Sequence, residues 1–172
     1  MGILRAVTRG IDTLNEWMGR TMRGLTLLMV AVVTYDVVMR YVFRQSFVFV
    51  QELEWHLFAV LFLLTAGYAH LKGDHVRVDI FYARMSTRTR ARIDLVCTFL
   101  FLFPTCFLMI STSIPFVRAS LAVLEGSPDP GGLPGRYVLK MVIPLGFLLL
   151  GLQGVSEAVK NVDRLRGEEA RG

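Results

Sequence analysis

Apolar residues in this chain come in four long stretches whose polar neighbours crowd the ends and leave the middles nearly empty. The second stretch is the clearest. It is entered through Gln51-Glu52-Leu53-Glu54-Trp55 and left through Gly73-Asp74-His75-Val76-Arg77-Val78-Asp79, and between Trp55 and Leu71 there is no Asp, Glu, Lys or Arg. A helix of roughly 20 mainly apolar residues crosses a bilayer core of about 30 Å. Segments at about 24–43, 55–71, 94–117 and 137–159 approach or meet that length. The pattern predicts an all-α membrane protein, one domain with four transmembrane helices.

The first span is the least regular, because it crosses only if Asp36 and Arg40 are carried with it. Its basic flank resembles a signal peptide, but no small-residue cleavage site follows, so a retained span is expected. Ahead of it, residues 1–22 place Ile3, Val7, Leu14 and Met18 at helical spacing, with Arg5, Arg9, Asp12 and Glu16 between them. This predicts an amphipathic helix on the membrane surface, with a partly disordered tail as the alternative.

The connection at 73–92 is richer than a turn. Val76, Val78, Ile80, Phe81 and Met85 supply apolar anchors, and Arg77, Arg84 and Arg88 supply charge for lipid headgroups. An interfacial helix is expected here, with a solvated basic loop as the alternative; Ser86 suits the cap of a helix starting near Thr87. The connection at 118–136 contains three prolines and four glycines between Leu124 and Gly135, so a compact irregular loop is expected. Pro104 and Pro144 fall inside spans, where they favour kinks.

Composition agrees with the pattern. The 172 residues are 53% hydrophobic, with a mean hydropathy of +0.51, too apolar for an ordinary soluble domain. Most of the 19 basic residues lie in the N-terminal segment, the central connection and the tail at 160–172. The positive-inside rule then puts both termini and the central connection in the cytoplasm, and 118–136 in the periplasm. The formal charge of +5 thus describes a membrane surface, and nucleic-acid binding is not expected.

Candidate chemistry is sparse. Asp36 and Arg40, four residues apart, share a helix face and can pair; the readings are a structural or partner-facing pair, or a direct role in ion or proton movement. Glu52 and Glu54 suit a helix start, and being two apart they do not share a face as a catalytic pair would. Trp55 suits the interface. His56 and His70 share one helix, but the only other histidine, His75, lies outside the spans, so internal bis-histidine haem ligation fails. Gln153, deep in the fourth span, suits a link between helices. Cys97 and Cys106, nine residues apart on one helix, are roughly 13 Å apart along the axis, too far for a disulfide. No cofactor, metal site or catalytic residue is expected.

The runs Arg40-Tyr41-Val42-Phe43, Gln51-Glu52-Leu53-Glu54-Trp55 and His75-Val76-Arg77-Val78-Asp79 resemble the small membrane subunit of tripartite ATP-independent periplasmic (TRAP) transporters. Gly126 to Pro134, Lys140 and Ile143-Pro144-Leu145-Gly146 are similar to the branch labelled mannitol or chloroaromatic. The resemblance covers about residues 35–153. It implies a non-catalytic scaffold in a bacterial inner membrane, partnered by lipids, a large multi-span permease subunit and a periplasmic binding protein. Uptake, usually of an organic acid, would be driven by an ion gradient such as sodium. It carries over no catalytic residues. Asp36, Arg40, Glu52 and Trp55 are expected to form the periplasmic side of the support. A membrane anchor for a redox enzyme and a small autonomous channel or carrier are the competing readings.

Overall fold

The computed structural model describes residues 2–73 and 85–169. They form four helices: α1 (Gly2–Tyr41), α2 (Val48–Lys72), α3 (Thr87–Ala122) and α4 (Arg136–Glu169). Each is long and apolar enough to cross a membrane. The helices alternate in direction, since the start of α1 meets the end of α4 through Asp12 and Lys160. At the opposite end, Glu52 near the start of α2 meets the loop that leads into α4.

The expected separate N-terminal helix is instead the first half of α1, a continuous rod of 40 residues, roughly 60 Å at 1.5 Å per residue. Leu4, Val7, Leu14 and Trp17 point outward, while Thr8 and Asn15 are buried. The polar face turns inward because α4 offers it hydrogen-bonding partners, and the apolar face is left for lipid. Helix association in lipid rests on such polar links and close contact, since lipid tails cover apolar side chains equally well.

Helices α2 and α4 form the centre, with α1 against both and α3 against α4. The apolar core is Met22, Leu64 and Leu149, surrounded by Met18, Leu25, Val60, Leu61 and Val142. Two glycines set the spacing of the central pair. A Cβ on Gly146 would lie 2.7 Å from the Leu63 carbonyl oxygen, and one on Gly67 would lie 3.2 Å from that of Leu149. Reciprocal glycines thus let the two backbones approach closely.

Ser86 caps α3, its hydroxyl accepting the Thr89 N–H at 3.2 Å. Between Thr98 and Leu102 the helix widens into a π turn, in which the Phe103 N–H bonds the Thr98 carbonyl. Pro104 follows directly, has no N–H to give and needs clearance from the preceding turn; a widened turn supplies it.

Candidate functional site

The first connection, residues 42–47, reverses the chain through Arg44 in the left-handed region (φ 53°), and Gln51 Nε2 donates to Ser46 Oγ at 2.7 Å. Helix α2 therefore begins at Val48, so Glu52 and Glu54 lie in its second turn. The expectation that they occupy the helix start is corrected accordingly.

Glu52 is 5% exposed. One carboxylate oxygen accepts the Ser127 hydroxyl and the other accepts the Leu133 N–H at 2.6 Å. Within the loop, Ser127 N–H donates to Leu133 O at 3.0 Å and Gly132 N–H to Asp129 O at 3.0 Å. Gly131 and Gly135 supply positive φ values of 81° and 82°, which glycine adopts without steric cost. The loop is folded around a glutamate from another helix. Beside it, His56 Nδ1 lies 2.6 Å from the Glu52 carbonyl oxygen, and the Arg136 guanidinium sits 5.3 Å from the Trp55 ring centroid.

A second carboxylate ties the loop's other side. Glu125 accepts from Lys140 and from Ser120 at 2.6 Å. The Lys140 ammonium, helped by the Ser120 hydroxyl, holds the Glu125 carboxyl below its ordinary range. Lys140 also lies 4.0 Å from the Phe116 ring centroid.

Asp36 and Arg40 form an ion pair on α1, with Asp36 only 3% exposed. Across the helix pair stands Glu54 of α2, electrostatically coupled to both, with Oε1 buried and without a hydrogen-bond partner. The four residues singled out from the sequence thus divide into two groups. Asp36 and Arg40 face Glu54, whereas Glu52 and Trp55 face the 123–135 loop and Arg136. Arg88 is exposed in the first turn of α3; Arg77 and Arg84, with most of the expected interfacial segment, lie outside the described residues. His70 lies at the far end of α2 from His56, and Cys97 and Cys106 are free thiols. No group of three or more potential metal ligands occurs among the described residues.

Gln153, expected to link helices, does so at the centre of the most buried polar cluster, whose other members sequence reasoning missed. Asn15 Nδ2 donates to Gln153 Oε1 at 2.9 Å, and both residues are 0% exposed. Gln153 Nε2 donates to Asp12 Oδ1 at 3.0 Å. Ser156 Oγ donates to the same oxygen at 2.7 Å, and Lys160 Nζ reaches Oδ2 at 2.9 Å. Lys72 of α2 joins from the side, 2.6 Å from Glu16. The signal was present in the spacing: Asp12, Asn15 and Gly19 repeat at three and four residues, as do Gln153, Ser156 and Lys160. Each set forms one stripe along a helix face.

These arrangements tie helices and loops together. Residues 29–164 match the family model described as tripartite ATP-independent periplasmic transporters, DctQ component. The ectoine TRAP transporter small permease protein TeaB of Halomonas elongata is 27% identical over 154 residues, covering 88% of this chain and 78% of that protein.

Proposed function

The chain belongs to the DctQ component family of TRAP transporters, and from that membership we propose that this small permease subunit is a non-catalytic scaffold for the large substrate-translocating subunit. The single observation that carries the reading is where its polar groups go. The Asp12–Gln153–Asn15 network links α1 to α4, and Glu52 ties α2 to the loop before α4. Asp12, Gln153 and Glu52, which a moving ion or solute could otherwise use, are committed to internal bonds. A subunit so braced suits a fixed support beside a partner that moves.

In this reading the solute is an organic acid brought by a periplasmic binding protein, and an ion gradient, sodium in the simplest case, drives uptake. Ectoine is the solute named for the relative's system. The membrane is the bacterial inner membrane, with both termini and the 73–92 connection cytoplasmic. Asp36, Arg40, Glu52 and Trp55 support the periplasmic side of the contact with the large subunit. Arg77, Arg84 and Arg88 meet headgroups on the cytoplasmic side.

Affinity purification in mild detergent followed by mass spectrometry tests the assignment. The expected companion is a polytopic permease, and vesicles containing this chain alone take up no solute. Uptake by the isolated chain, or capture of a redox subunit in place of the permease, would overturn the proposal.

A further inference from the structure

A cavity of about 810 Å³ opens between the last turn of α2, the first half of α3 and the second half of α4. It arises because α2 and α3 pack chiefly on α4, and its volume falls in the ordinary range of ligand sites, roughly 300–1,000 Å³.

The wall changes character along the bundle axis. At one end stand four cationic groups, Lys72, Arg90, Lys160 and Arg164, with the carboxylates Asp94 and Glu157. Deeper in the membrane the wall is formed by Phe101, Leu102, Cys106 and Leu150. From Asp94 to Cys106 is roughly 18 Å of helix, so the gradient extends from the bilayer surface towards mid-depth. The π turn at Thr98–Leu102 lies in this wall, where helices are often widened at functional positions.

The cations are not equally engaged. Lys72 is tied to Glu16, and Lys160 to Asp12 and Glu157. Arg164, in contrast, donates to the neutral side-chain oxygen of Asn161 at 2.9 Å, a bond that leaves its positive charge available to an anion. Free phosphate would use only the charged mouth of such a cavity, and a lipid without net charge would gain less from the arginines. An anionic amphiphile uses both ends.

We propose that this cavity is a site for an anionic phospholipid, with its phosphate at Arg90 and Arg164 and an acyl chain along Phe101, Leu102 and Leu150. Basic pockets between transmembrane helices bind such headgroups. The lipid supplies packing between α2 and α3 and fixes the depth of α3. The inference requires only that the four helices span a bilayer, and it stands apart from the scaffold reading.

The test uses the full chain in nanodiscs of mixed phosphatidylglycerol and phosphatidylcholine, released for native mass spectrometry. Phosphatidylglycerol is expected to be retained over phosphatidylcholine by about tenfold, the scale of one or two basic contacts. Arg164→Gln, at an exposed position, lowers that preference several-fold, and adding Arg90→Gln brings it near parity. Leu150→Trp, which fills the deep wall, removes both lipids while circular dichroism confirms the helical fold. Millimolar inorganic phosphate displaces nothing. Equal retention of the two lipids, an unchanged preference in the arginine variants, or displacement by phosphate would overturn the proposal.

Discussion

Glu52 and Leu133 are 81 residues apart in the chain, yet the Glu52 carboxylate takes the Leu133 N–H at 2.6 Å. With Ser127 on its other oxygen, the same side chain closes the loop from both sides. Glu52→Ala removes both bonds and leaves a partly buried backbone donor without a partner, which is costly. Limited proteolysis should then cut between residues 123 and 135 several-fold faster, with α-helical content unchanged. Glu52→Gln keeps one acceptor and should fall between the two.

The buried amide pair is predicted to be the strongest link between α1 and α4. Gln153→Leu leaves the Asn15 amide only its bond to the Ile11 carbonyl and takes a donor from Asp12, and should cost about 1–3 kcal/mol. The double variant Asn15→Leu/Gln153→Leu should be less damaging than the two single losses added together, because neither partner is then left unsatisfied. Thermal unfolding in detergent gives both values; strict additivity would count against the pairing.

Gly67 leaves no room for a side chain, since Asn15 and the Leu149 carbonyl close on its Cα. Gly67→Ala should destabilise the bundle by about 1–3 kcal/mol, the usual cost of overpacking. Shortening the neighbour with Asn15→Ala should recover part of the loss, the Leu149 backbone still standing in the way.

The Glu125 tie carries a defined pH signature. Its carboxyl titrates below the ordinary value in the folded protein, so the unfolded chain binds the proton more readily. The stabilisation is complete above the ordinary glutamate value of about 4.3 and is lost as pH falls through the lower folded value. Wild type should exceed Glu125→Gln in melting temperature at neutral pH, and the two curves should converge under strong acid. A gap that widens on acidification would refute the assignment.

The proposed periplasmic support makes a separate claim about assembly. Asp36→Ala leaves Arg40 without its partner, and Glu52→Ala frees the loop; each is expected to lower co-purification of the large subunit and solute uptake several-fold. Unchanged recovery and uptake in both variants would remove these residues from the interface.

Much of the architecture was legible in the apolar pattern, since a bilayer imposes a minimum length that four segments met. Ser86 as a cap and the irregular 123–135 loop were legible for equally local reasons. The partner of the polar face of α1 was not. An amphipathic stripe locates the apolar side, which Val7 and Leu14 turn outward, but it does not encode that Asn15 on the other side meets Gln153 of α4. Glu52 was noticed, but its tie to Ser127 and Leu133 spans distant parts of the chain, and no local spacing encodes it. Asp36 and Arg40 were readable as a pair because they are one helical turn apart; their neighbour Glu54 belongs to another helix.

The length of α1 has a further consequence. A single helix can adapt to a thinner or thicker bilayer by tilting. Here α1 is fastened to α4 at Asp12 and Lys160 and again through Asn15 and Gln153, so neither can lean without dragging the other. A change in membrane thickness is therefore met by the pair tilting as one body or by the surrounding lipids stretching or compressing.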